Sequence, residues 1–178
     1  MRVITGTARS VRLKTPDGSE VRPTAERVKE AVFSMIQFDI EGRRVLDLFA
    51  GSGQMGIEAL SRGAEKAFFI DFYAPSIKAI KDNLEKTKLL EKAEVIFGDS
   101  IAFIRSTNEK FDIAFVDPPY SKGLYDDCLA ALVNKMNDGG TIICECPSKD
   151  KLLQSCGDFS IVKESAYSST KIVVYRKK

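Results

Sequence analysis

The sequence predicts an α/β domain in which a mostly parallel sheet carries helices on both faces and is closed by an antiparallel hairpin. Three observations lead there. From residue 43 onward, short apolar segments alternate with amphipathic ones, the pattern expected of β-α-β units. The chain has 178 residues, enough for one domain with a sizeable core. The last two apolar runs, FSIVKES and TKIVVYR, are joined only by AYSS, too short for a crossover helix, so they pair antiparallel at the sheet edge.

In order along the chain, residues 1–22 form a basic N-terminal arm. The run TAERVKEAVFSMIQ predicts a helix within 23–38, with Thr24 as its cap, Glu26 in its first turn, and Val28, Ala31, Val32, Met35 and Ile36 as one apolar stripe. Strands follow near 43–49, 67–71, 94–97, 111–117 and 140–145. Between the second and third, SIKAIKDNLEKTK starts just after Pro75 and aligns Ile77, Ile80 and Leu84 on one helix face. No repeat, low-complexity tract or linker divides the chain, so 1–178 is expected to be one domain with its core in 43–178.

Composition excludes several chemistries. There is no histidine, which rules out Ser-His and Cys-His nucleophile systems, histidine bases and the usual histidine-containing zinc sites. Cys128, Cys144, Cys146 and Cys156 show neither a Cys-x-x-Cys spacing nor a disulfide-scaffold density and are expected to be reduced thiols. The first residues lack an apolar leader, and no apolar run approaches the ~20 residues that span a bilayer, so a cytoplasmic protein with no membrane partner is expected. Net charge is +2, yet residues 1–14 and 165–178 each carry four basic and no acidic side chains. Such ends suit a polyanion, or serve as solvated charge that keeps the protein in solution.

Asp47, Asp71, Asp99 and Asp117 each fall at or near the carboxyl end of a successive predicted strand, so they share the rim where open α/β sheets bind ligands. Each could also cap a following helix. In LDLFAGSGQMG, Gly51 and Gly53 allow a tight, close-approaching turn, and Gly53, Gly56, Ile57 and Leu60 share the helix face that packs on the sheet. Gly51, Gly53 and Gly56 also spell a dinucleotide-type G-x-G-x-x-G, with Asp71 18 residues beyond Gly53. Asp47 argues against a pyrophosphate there, because its carboxylate would repel it. A cationic ligand would be welcome, and S-adenosylmethionine fits: Asp47 faces its positive charge, Asp71 its ribose hydroxyls, Asp99 its adenine amine.

The segment FVDPPY then has a purpose at each position. The prolines close the strand and fix the direction of the preceding carbonyls. Asp117 and the Pro118 carbonyl can accept hydrogen bonds from an aromatic amine and favour the pyramidal geometry that develops on in-line methyl transfer. Pro119 stiffens the turn, and Tyr120 can stack on the base.

With LDLFAGSG, the strand-end acids and DPPY in place, the chain resembles class I S-adenosylmethionine-dependent methyltransferases. It is most similar to the bacterial RsmD family, which methylates the N2 amino group of one guanine in 16S ribosomal RNA. MRVITGTARS, VRPTAERVKEAVFSMI, VLDLFAGSGQMGIEALSRGAEKAFFID, FGDS, FDIAFVDPPY and TKIVVY carry the likeness over nearly the whole chain. The resemblance implies a Rossmann-like, seven-stranded sheet with its last strand antiparallel. It implies S-adenosylmethionine held by Asp47, Phe49, Ala50, Gly51, Ser52 and Gly53 with Asp71, Asp99 and Ser100, and a target guanine at Asp117 to Tyr120. It also turns Arg2, Arg9, Arg12, Arg22, Thr24 and Lys171 toward 16S ribosomal RNA or a small-subunit assembly; nothing in the composition demands more than a monomer, which is the expected state. The chain departs from the family at Ser10, where glycine is common, at Tyr167 to Thr170, where a Tyr-Gly-Asp-Thr-like turn is common, and at Asp71, which replaces a commoner glutamate.

Overall fold

The computed structural model describes residues 1–17, 26–119 and 124–177. Eight strands form one sheet: β1 (Arg44–Leu48), β2 (Lys66–Asp71), β3 (Ala93–Phe97), β4 (Phe111–Val116), β5 (Met136–Pro147), β6 (Ser155–Cys156), β7 (Phe159–Tyr167) and β8 (Thr170–Lys177). Their spatial order is β3-β2-β1-β4-β5-β8-β7-β6. The first five run parallel, and β8 pairs antiparallel with β5. The helices are α1 (Glu26–Met35), α2 (Gln54–Ser61), α3 (Ala74–Thr87), α4 (Ser100–Ser106) and α5 (Leu124–Leu132). The expected seven strands become eight because Gly157, at φ +54°, turns the chain so that Ser155 and Cys156 pair with Ser160 and Phe159.

Alternation along the strands divides the core in two. Val45, Phe69, Ile113, Phe115 and Ile143 point to one face and pack under α1, α2 and α3; Leu46, Phe68, Ala114, Ile142 and Val173 point to the other, under α4 and α5. β8 is buried on both faces through Ile172, Val173, Val174 and Tyr175, as befits a strand between β5 and β7, and the short β6 forms the edge. Cys128, Cys144 and Cys146 are free thiols buried in the second core; burial pushes the Cys128 thiol up to about 12 and the Cys146 thiol up to about 11, leaving them unreactive.

The first 13 residues are part of the fold, with Val3, Ala8 and Leu13 buried in the first core. They fold back on themselves through an Arg2–Arg12 bridge and lie against α2. Glu58, fully buried on α2, accepts hydrogen bonds from the Ile4 and Thr5 amides at 2.7 and 3.0 Å and from Arg62 at 2.8 Å. Lys29 of α1, 1% exposed, lies 3.5 Å from Glu58 and donates to the Arg2 carbonyl. Loss of Glu58 would leave the Lys29 charge buried without its counter-charge, a cost of about 3–5 kcal/mol, whereas loss of Lys29 leaves Glu58 paired with Arg62.

Ser10 and Ser168 occupy the left-handed region at φ +70° and +57°, a conformation that glycine adopts without steric cost. A serine Cβ costs roughly 1–2 kcal/mol there, offset in part by the larger unfolded-state freedom of glycine. Ser10→Gly and Ser168→Gly are each expected to raise the unfolding free energy by up to about 1 kcal/mol, read in urea titrations.

Candidate active site

β1 ends in a sharp loop. Phe49, Gly51 and Gly53 all have positive φ (60°, 55° and 75°), and a non-glycine residue held there marks a backbone constrained by its surroundings. The constraint is visible in the hydrogen bonds. The Ala50 amide donates to the Ile70 carbonyl at 3.0 Å, Gly51 donates to Asp71 Oδ2 at 2.8 Å, and the Asn83 amide group donates to the Ser52 carbonyl at 3.0 Å. Gly53 then begins α2, and Gly56 brings that helix onto β2: a Cβ on Gly56 would sit 2.3 Å from the Phe69 ring. Gly56→Ala is therefore expected to cost about 1–3 kcal/mol of stability and to displace the loop, seen as a lower urea midpoint together with weaker cofactor binding.

Beside this loop an open cleft of about 650 Å³ is lined by Thr15 and Pro16, Val32 of α1, Asp47, the Phe49–Ser52 turn, Gln54, Phe115, Asp117, Ile143, Glu145 and Ile172. Its wall is acidic. Asp47 is 4% exposed and accepts from the Gly56 amide at 2.9 Å; burial, with Asp71 as a like charge, pushes its carboxyl up to about 7. Asp117, just past the end of β4, is exposed at the mouth. The protein mass around it, followed by the like charges of Glu145 and Asp47, raises its carboxyl well above the ordinary aspartate range, and water at the mouth screens part of that effect.

The other expected site residues are divided. Asp71 is buried, with Oδ2 on Gly51 and Oδ1 on the Tyr73 amide at 2.8 Å, so it holds the loop while keeping spare lone pairs. Asp99 caps α4, accepting from the Ala102 amide at 2.7 Å, and Ser100 is buried beside it with its hydroxyl unpartnered among the described residues. Two exposed aromatic rings, Phe72 and Phe97, stand on this part of the rim and could flank a flat ring. Pro118 is buried and Pro119 exposed. Arg9 and Arg12 are exposed; Arg2 pairs with Glu26 at 2.6 Å; Lys171, 11% exposed at its side chain, lies 3.5 Å from Glu164 and is turned away from open surface. Tyr120, Arg22 and Thr24 lie outside the described residues.

Two cleft residues escaped the sequence reading. Gln54 opens α2 and is 6% exposed, with its Oε1 unpartnered among the described residues. Glu145 stands near the carboxyl end of β5, where the strand-end rule that singled out Asp47 and Asp117 finds it one strand further. Acidic walls, a positive-φ glycine loop and a buried polar atom lacking a donor fit a ligand that carries positive charge and N–H or O–H groups, as S-adenosylmethionine does.

A sheet of this order, with a glycine loop after its first strand and acids along its carboxyl rim, defines a class I methyltransferase. A family model described as "Conserved hypothetical protein 95" matches residues 1–176, and the chain belongs to that family, the RsmD family. YlbH of Bacillus subtilis is 34% identical over 183 residues, covering 100% of both chains. "Ribosomal RNA small subunit methyltransferase D" of Haemophilus influenzae is 35% identical, covering 99% of this chain and 92% of its own. Among solved structures, yhhF from Escherichia coli superposes with a TM-score of 0.90 at 30% identity, covering 100% of this chain and 98% of that one.

Proposed function

We propose that this protein transfers a methyl group from S-adenosylmethionine to the exocyclic N2 amine of a guanine in 16S ribosomal RNA. The observation that carries the proposal is the placement of Asp117 at the cleft mouth, one strand from the Asp47–Gly53 loop, in a chain whose relatives include a small-subunit ribosomal RNA methyltransferase. S-adenosylmethionine, when bound, supplies an electrophilic methyl group on a sulfonium. Asp47 and the loop's backbone hold the cationic end, Asp71 reaches the ribose hydroxyls with its remaining lone pairs, and Gln54 Oε1 accepts a donor from the ligand.

Asp117 and the Pro118 carbonyl orient the amine so that its lone pair points at the methyl carbon, and positioning of this kind accounts for much of such a displacement. The bound cofactor would give up its methyl carbon to the amine and keep the electron pair of the broken C–S bond. The amine becomes cationic and sheds one proton to Asp117 or to water at the mouth; a carboxyl raised above its ordinary range is a better acceptor once ionised. The exposed Arg9 and Arg12 are charges that can neutralise RNA phosphates.

The test is incubation with methyl-labelled S-adenosylmethionine and, separately, small subunits lacking the modification, naked 16S RNA and duplex DNA, followed by digestion to nucleosides. N2-methylguanosine from one ribosomal site is expected; label in DNA, or in another nucleoside, would refute the assignment.

A further inference from the structure

Asp117 has a carboxylate neighbour that methyl transfer alone does not account for. The parallel register runs Phe115↔Ile143 and Val116↔Cys144, so the next residues, Asp117 past the end of β4 and Glu145 on β5, follow neighbouring paired positions, and Glu145 is the foremost like charge acting on Asp117. Alternation turns both side chains to the face of Phe115 and Ile143, toward α1, and both line the cleft. On the same face Asp47 lies opposite Phe115 on β1, so the order across the sheet is Asp47, Asp117, Glu145. The glycine loop belongs to the β1 side of the cleft, and Glu145 stands on the β5 side, across Asp117 from it. Its backbone is fixed: Ile172 pairs with it on β8, and the Tyr125 hydroxyl donates to its carbonyl at 2.7 Å.

We infer that Glu145 selects guanine by accepting the N1–H of the base while Asp117 and the Pro118 carbonyl accept from its N2 amine. This rests on the methyl-transfer reading of the site. Guanine presents N1–H and the N2 amine as adjacent donors on its Watson–Crick edge, the edge through which extruded bases are read. Adenine and cytosine instead place an unprotonated ring nitrogen beside their amine, and a carboxylate facing that nitrogen repels it. Two adjacent acids therefore match guanine and reject the other two amines. The like-charge crowding that raises the Asp117 carboxyl is relieved by such a donor-rich edge.

2-Aminopurine keeps the N2 amine and replaces N1–H with an acceptor. Wild-type protein and Glu145→Gln are compared on whichever of naked 16S RNA or small subunit the wild type methylates, with guanine or 2-aminopurine at the modified position; S-adenosylmethionine affinity is measured alongside. The wild type is expected to prefer guanine by about 10- to 100-fold. Glu145→Gln should lose most guanine methylation and narrow or reverse that preference, because its amide N–H can donate to N1 of 2-aminopurine, while cofactor affinity is unchanged. A structural role would lower both acceptors together, and an unmoved ratio overturns the inference while leaving the methyltransferase assignment intact. If the wild type labels no guanine in either acceptor, the inference and the proposed function fall together.

Discussion

Asp117→Ala is expected to lower methyl transfer by roughly 100- to 1,000-fold, the loss typical when one preorganised electrostatic group at a reacting centre is removed. Cofactor binding should change little. The loop that would hold S-adenosylmethionine is fixed by Asp71, Asn83 and the Ala50 amide, and none of those contacts passes through Asp117. Because Asp117 is crowded by Glu145 and Asp47, the alanine variant should also unfold at a temperature no lower than the wild type, so lost activity cannot be ascribed to lost fold. Asp117→Asn keeps one acceptor oxygen and should retain more activity than alanine. Single-turnover rates with saturating RNA, alongside calorimetric binding of S-adenosylmethionine, separate the two effects; turnover retained in the alanine variant would remove Asp117 from the chemistry.

Asp47→Asn should stabilise the ligand-free protein above neutral pH while weakening its hold on S-adenosylmethionine. The folded carboxyl titrates at about 7 against an ordinary value of 3.8, so between these pH values the folded state binds more protons than the unfolded one. Stability from this group is then full below about pH 4, falls as pH rises, and levels off above about 7, a total of up to about 4 kcal/mol. Asparagine has no such titration, so the variant should match the wild type near pH 4 and exceed it at pH 8. Cofactor affinity runs the opposite way: a cation is attracted by the ionised form, and wild-type binding should tighten as pH rises through 7, a dependence absent in Asp47→Asn. Urea unfolding and calorimetry at pH 5, 6.5 and 8 give both curves. A wild-type stability that does not fall between pH 5 and 8 relative to the variant would mean that Asp47 is already ionised in the folded protein.

The strands, the glycine loop and the closing hairpin were legible because each rests on local signals: short apolar runs, a Gly-x-Gly turn, an acid before two prolines. α1 shows where such signals stop. Helical periodicity predicts a stripe of Val28, Ala31, Val32, Met35 and Ile36, whereas Lys29 and Phe33 are buried and Ala31 and Met35 are only half covered. No local pattern buries a lysine; the fully buried Glu58 does, from 29 residues further along the chain. Asp99 shows the converse. A strand-end acid fits both a ligand contact and a helix cap, and the structure engages its side chain with the Ala102 amide.

By itself the sequence determined the alternating α/β layout, the loop from Asp47 to Gly53 and the end of β4 ahead of Pro118 and Pro119, since residues close in the chain specify these through backbone propensity and side-chain period. Only the tertiary structure decided that the N-terminal segment is bound into the first core through Glu58, that an eighth strand completes the edge, and that Asp47, Asp117 and Glu145 line one cleft. Those facts depend on strand order, register and charge pairing between segments tens of residues apart, where the free energy belongs to the packed whole and leaves little trace in any one stretch of chain.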